Sequence, residues 1–227
     1  MSGIEVGLLV LFGAVVFLDT WPAVQTMISR PLVVGPVVGW ILGEPAAGAF
    51  WGAVFETLYL GSMPVGASRV PDAGLASLVG TVVAIQGRLD GVEAAVLAVG
   101  FGLAAGVAGE RVDRWHRTWN GRTAERIARS VAGGDPDAPG RGIVVALLRG
   151  GAFGAVQTAV AVALALAALD LVETTWVAGR LPTWIVRVVA VAAAAMAGAR
   201  LFVRQRIHRI AWSAGLVAGA LVAWGAA

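Results

Sequence analysis

Apolar residues fall along this chain in blocks, at about 4–18, 31–43, 46–63, 73–87, 91–109, 143–169, 183–203 and 210–226, separated by short polar breaks. About 20 apolar residues cross a bilayer as a helix, so several spans are available. The pattern predicts an all-α integral membrane protein, a polytopic helical bundle of about 7–8 apolar segments. The second and fourth blocks are short for a full crossing, and each adjoins Pro or Gly and a charged residue. They are predicted to be broken or re-entrant helices.

The pattern changes at Glu110. From there to Arg141 the chain is polar, reading WHRTWNGRTAERIARSVAGG and then the turn-rich DPDAPGRG. This divides the chain into an N-terminal membrane region (1–109), a basic cytoplasmic linker (110–142) and a C-terminal membrane region (143–227). Arg122, Arg126 and Arg129 with Ile127 and Val131 predict a short amphipathic helix at the membrane surface, with Trp115 and Trp119 as aromatic anchors. A solvated connector with no role in transport fits the same residues equally well.

Composition sharpens the class. The chain is 58% hydrophobic and 14% charged over 227 residues, too apolar for an ordinary soluble domain. All 17 basic residues are Arg, and seven of them lie between Arg111 and Arg141. A basic loop between apolar spans marks the cytoplasmic side far more often than it marks a nucleic-acid surface. Arg204, Arg206, His208 and Arg209 form a second cluster two blocks later, which by the same rule places both clusters in the cytoplasm and the stretch 171–182 outside. The orientation of the N-terminal half stays open. The block 4–18 has no basic residue before it and no convincing cleavage site after it, so it is expected to be mature structure. With no cysteine, disulfides and thiol chemistry are excluded.

Glycines recur at helical spacing, at 35, 39 and 43, at 48 and 52, and at 102, 106 and 109. In lipid, small residues three or four apart let helix backbones approach closely, and packing is the expected role of most of them.

The polar residues of the first third stand out against this background. Asp19 ends one apolar block, Glu56 lies deep in another, and Ser68, Arg69 and Asp72 occupy a break between two more. A charge at the centre of a spanning helix costs about 2.5–3.5 kcal/mol, so Glu56 must face protein or water. It is read either as a buried ion pair with Arg30 or Arg69, as a protonated carboxyl that fixes helix register, or as part of a sugar or coupling site. Carboxylates and amides exchange hydrogen bonds with hydroxyls, which brings in Asp19, Gln25, Glu56 and Asp72; Trp21, Trp51 and Tyr59 offer apolar faces to a sugar ring.

The succession LD, Gln25, SRPLVVGPVVGWILGE, GAVFETLYLGSMPVGAS and VPDAGLASLVGT resembles the membrane IIC subunit of the mannose, fructose and sorbose family of phosphotransferase systems. The resemblance covers about the first 90 residues. It implies a permease in the bacterial inner membrane that pairs with a IID membrane subunit and moves a hexose or similar sugar inward. Soluble IIA and IIB proteins would relay the phosphate, so this chain is expected to carry no catalytic residue, cofactor or metal. An oligomeric assembly is expected. Carried over by matching position, Glu56, Asp72, Asp19, Gln25 and Ser68 are the expected substrate-binding residues, and Arg30 and Arg69 the positioning ones. Arg69 is a departure from the family pattern; it either favours an acidic sugar or, as the preferred reading, neutralises Asp72. Pro31, Pro36, Pro64 and Pro71 are expected to break helices around the site. The chain's two histidines, His116 and His208, are expected in basic, loop-like segments without a role. A compact second half rich in Ala and Val also fits an alternative, a IIC-like regulatory or scaffold subunit that moves no sugar.

Overall fold

The computed structural model describes residues 1–20, 26–60, 70–87 and 91–177. Their regular structure is six helices: α1 (Gly3–Thr20), α2 (Pro31–Ile41), α3 (Pro45–Tyr59), α4 (Ala73–Gln86), α5 (Gly91–Ala132) and α6 (Ala138–Val177). Three of them, α1, α5 and α6, are long and apolar enough to cross a membrane. The predicted blocks at 183–203 and 210–226, with the second basic cluster and His208, lie outside the described residues, as do Gln25, Ser68 and Arg69.

Helices α2 and α3 form a hairpin whose arms, 11 and 15 residues long, reach about 16 and 22 Å at 1.5 Å per residue. Neither spans a hydrocarbon core of about 30 Å. Each arm begins with a proline at its first position, where the missing N–H has no helical partner to lose. The turn depends on Gly43, whose φ of 81° suits a residue without a Cβ. Glu44 N donates to the Gly39 carbonyl at 2.7 Å and closes it. Glycines make up the seam: Gly35 faces Gly48 and Gly52, and Gly39 faces Gly48, backbone against backbone.

Helix α4 is the axis of the molecule. Ten consecutive residues, Gly74 to Val83, are buried, so it is enclosed on every side by the other helices. Leu75, Leu78, Val79, Val82 and Val83 share one core with Leu9 and Val16 of α1, Val34 and Val38 of α2, Ala98 and Ala105 of α5, and Val162, Ala165 and Leu169 of α6. Facing residues give the directions. Gly80 opposes Ala98 and Ala76 opposes Gly102, so α4 and α5 are antiparallel; Asp72 meets Gln157 and Gly87 meets Glu173, so α4 and α6 run together. Gly13 against Thr158 and Gly154 against Phe17 seat α1 on α6, again antiparallel.

The stretch read as a linker is mostly helix. α5 continues unbroken from its apolar start to Ala132, about 63 Å. Its polar half is held by the (i, i+4) pairs Glu110–Arg114 and Asp113–Arg117 and contains no proline. Polarity there reflects what the helix faces, not a loss of helical preference. It stops where Gly133 and Gly134, the latter at φ 90°, turn the chain into Asp135 and Pro136. The expectation for His116 needs correcting as well. It sits on α5, is 1% exposed, and lies edge-on to Phe17 at 5.1 Å and Phe153 at 5.4 Å. Asn120 Nδ2 donates to its Nε2 at 3.3 Å. A polar face turned inward among α1 and α6 is what the sequence had presented as a loop.

Candidate functional site

Four of the residues singled out by sequence, Asp19, Arg30, Glu56 and Asp72, gather around the segment 26–30 and the N-terminus of α4. Asp19, at the end of α1, accepts hydrogen bonds from Thr26 N at 2.5 Å, Thr26 Oγ1 at 2.7 Å and Ser29 N at 2.9 Å. Its carboxylate thereby organises the approach to α2. This approach includes Met27 at φ 67°, a left-handed conformation that costs a residue with a side chain of order 1–3 kcal/mol. The Ser29 carbonyl in turn sits against Gly74, two residues beyond Asp72.

Asp72 caps α4. Its Oδ1 accepts from Leu75 N at 2.9 Å, and its own N–H donates to the Gly106 carbonyl of α5 at 2.9 Å. Its Oδ2 accepts from Gln157 Nε2 of α6 at 3.3 Å. Gly109 lies against the Asp72 side chain; a side chain at Gly106 or Gly109 would push α5 away from this cap. Pro71 directly precedes the cap, outside the helix, while Pro36 lies inside α2.

Glu56 is placed differently. It projects from the last turn of α3 toward the start of α2, where Arg30 Nη1 and Leu32 N both donate to it at 3.4 Å. These contacts are long for hydrogen bonds, and the pair is only partly buried, with the Glu56 side chain 14% and the Arg30 side chain 40% exposed. Of the three readings open for Glu56, the ion pair with Arg30 is present. Among the described residues, it leaves acceptor capacity on the carboxylate and several N–H donors of the guanidinium without a partner.

Sequence reasoning gave no role to Gln157. Its Oε1 is buried with no hydrogen-bond partner among the described residues, an arrangement that costs about 1–3 kcal/mol when left unsatisfied. The signal was visible as a lone amide in the mostly apolar stretch 150–169; its partner, 85 residues away, was not. Tyr59, expected as a ring platform, is buried with its hydroxyl against Gly106, and Trp51 packs on the core. Trp21 lies outside the described residues. Among the described residues no group of three or more His, Cys, Asp or Glu is placed to hold a metal.

Long apolar helices enclosing a short, largely buried one, with carboxylates at helix ends inside the bundle, define a polytopic α-helical membrane protein. The chain belongs to the family described as the sorbose-specific IIC component of the phosphotransferase system, whose family model matches residues 4–199. It is 41% identical over 61 residues to the sorbose-specific EIIC component of Lacticaseibacillus casei, covering 27% of this chain and 22% of that protein. It is 41% identical over 59 residues to the mannose-specific EIIC component of Escherichia coli K12, covering 26% and 22%. The fructose permease IIC component of Bacillus subtilis matches at 32% over 99 residues, covering 42% and 36%. These alignments span about a fifth to a third of the relatives' own length. Two solved structures share the fold over all of this chain and 92% of theirs, each at 22% identity: one described only as a membrane protein, with a TM-score of 0.68, and the mannose transporter ManYZ in complex with microcin E492, with a TM-score of 0.63.

Proposed function

We propose that this chain is the sugar-translocating IIC subunit of a phosphoenolpyruvate-dependent sugar phosphotransferase system of the mannose, fructose and sorbose type. It sits in the bacterial inner membrane beside a IID subunit and moves sugar inward for phosphorylation by a soluble IIB protein, itself charged by IIA. The observation that carries this reading is the Glu56–Arg30 pair. A carboxylate and a guanidinium, loosely joined and partly open at the mouth of a short helical hairpin, present an acceptor and donors side by side, the combination that hydroxyl groups of a sugar satisfy. Asp72, Asp19 and the segments bearing Gln25 and Ser68 complete the proposed site, with Arg30 and Arg69 as positioning residues. Phosphoryl transfer belongs to the partners: His116 is enclosed by Phe17, Phe153 and Asn120 and is poorly placed to receive a phosphoryl group. The basic segment 110–142 lies on the cytoplasmic side in this reading.

The test is phosphoenolpyruvate-dependent sugar phosphorylation by membrane vesicles holding this chain with its IID, IIB and IIA partners. Glu56→Gln is expected to lower uptake at least about tenfold, the scale of one lost charge-assisted hydrogen bond, with the protein still in the membrane. Normal uptake by Glu56→Gln and by Asp72→Asn would remove the site assignment. Absence of phosphorylation of any sugar by the wild-type complex would remove the transport reading and leave the scaffold alternative.

A further inference from the structure

Where α5 and α6 leave the bundle together they enclose a groove of about 220 Å³ lined by Thr123, Arg126, Ile127, Ser130, Arg141 and Arg149, among others. At roughly 30 Å³ per water, a phosphate group fits with room to spare. Two of the three arginines are engaged locally: Arg141 pairs with Asp135 in the hairpin turn, and Arg149 Nη1 donates to Thr123 Oγ1 at 2.9 Å while its guanidinium stacks over Trp119. Their charges stay directed at the groove. Arg126 makes no hydrogen bond or ion pair among the described residues, and the Ser130 hydroxyl likewise has none.

The surface beside the groove is apolar. Ile143, Val144 and Leu148 on α6 are 61%, 54% and 72% exposed, and Val131 on α5 and Trp115 are exposed too. A ligand matching both features carries an anionic, acceptor-rich head and a long apolar body. We propose that this groove binds the phosphate headgroup of an anionic phospholipid, with the acyl chains lying along the exposed face of α6. Arg126 and Ser130 supply donors to the phosphate oxygens, and Arg141 and Arg149 add positive charge. Basic pockets between helices at a membrane surface recognise lipid headgroups through this chemistry. The site is independent of the sugar reading.

The experiment is native mass spectrometry of the full chain in detergent, titrated separately with dioleoyl phosphatidylglycerol and dioleoyl phosphatidylcholine. The wild type is expected to retain phosphatidylglycerol in preference, and Arg126→Glu to reduce that retention about tenfold with an unchanged helical circular dichroism spectrum. Arg129→Glu makes the same charge change outside the groove lining and is expected to retain the lipid as the wild type does. Equal retention by wild type and Arg126→Glu overturns the proposal, and an equal loss in both variants reduces it to diffuse surface charge. Glycerol 1-phosphate displacing the lipid at equal concentration would show a soluble phosphate site in its place. Displacement by a phosphorylated partner protein alone would show a protein-docking surface.

Discussion

Glu56 and Asp72 are carboxylates in similar apolar surroundings, yet the fold holds them to different degrees. Both oxygens of Asp72 accept hydrogen bonds from protein groups at 2.9 and 3.3 Å, whereas Glu56 has two contacts at 3.4 Å and some exposure. Substitution should separate stability from transport. Asp72→Ala removes a helix cap, worth about 1 kcal/mol, and strands the buried Gln157 amide, worth about 1–3 kcal/mol more. It is expected to lower the midpoint of thermal unfolding in detergent clearly, while Glu56→Gln leaves that midpoint nearly unchanged and reduces uptake. Asp19 belongs with Asp72 in this respect. Its three hydrogen bonds are local, and Asp19→Ala is expected to destabilise the protein because Met27 would lose the contacts that hold its left-handed backbone.

Among the helices, the α2–α3 hairpin is the clearest case of sequence spacing becoming geometry. A Cβ at Gly39 would stand 2.6 Å from the Glu44 carbonyl oxygen and 2.7 Å from the Gly48 Cα. These are backbone atoms, so relief requires the two helices to separate. Gly39→Val is expected to cost more than the 1–3 kcal/mol typical of overpacking and to appear as loss of folded protein on size-exclusion chromatography. Gly100 offers the contrast. Nothing lies within 4 Å of a Cβ built there, so Gly100→Ala is expected to be neutral or to stabilise by up to about 1 kcal/mol through helix propensity, read from the unfolding midpoint. Gly39 belongs to a series of glycines at helical spacing, whereas Gly100 stands outside any such series.

For the molecule as a whole, α4 is the element on which the others converge, and Phe55 of α3 is the wedge that fits it to α5. Its ring occupies the space over both Gly80 and Gly102 and is fully buried. Phe55→Ala would leave a cavity between three helices, and a loss of about 3–5 kcal/mol is expected, measured as lowered resistance to denaturant in mixed micelles.

The starts of α2, α4 and α5 coincide with the apolar blocks predicted at 31, 73 and 91, because prolines and capping residues act locally and can be read from the chain. The end of α5 could not be read that way. Its polar half, from Glu110 to Ala132, looks like a connector in composition, and it is helix because ion pairs one turn apart support it and α1 and α6 cover its inward face. The candidate site was legible in the same partial sense. Asp19, Arg30, Glu56 and Asp72 stood out as charges among apolar residues; Gln157 went without a role because the cap it serves lies 85 residues away.

Sequence by itself determined that this chain is a helical membrane protein, where several of its helices begin, and which few charged residues have to be accounted for inside it. Hydropathy and helix starts depend on neighbours along the chain, so a linear reading captures them. Tertiary structure alone decided that Asp19 and Asp72 brace the fold while Glu56 stays partly open, and that a basic connector is a long helix bordering a groove. Those outcomes depend on which helix packs against which, and a hydrogen bond between distant residues exists only once that packing has brought them together.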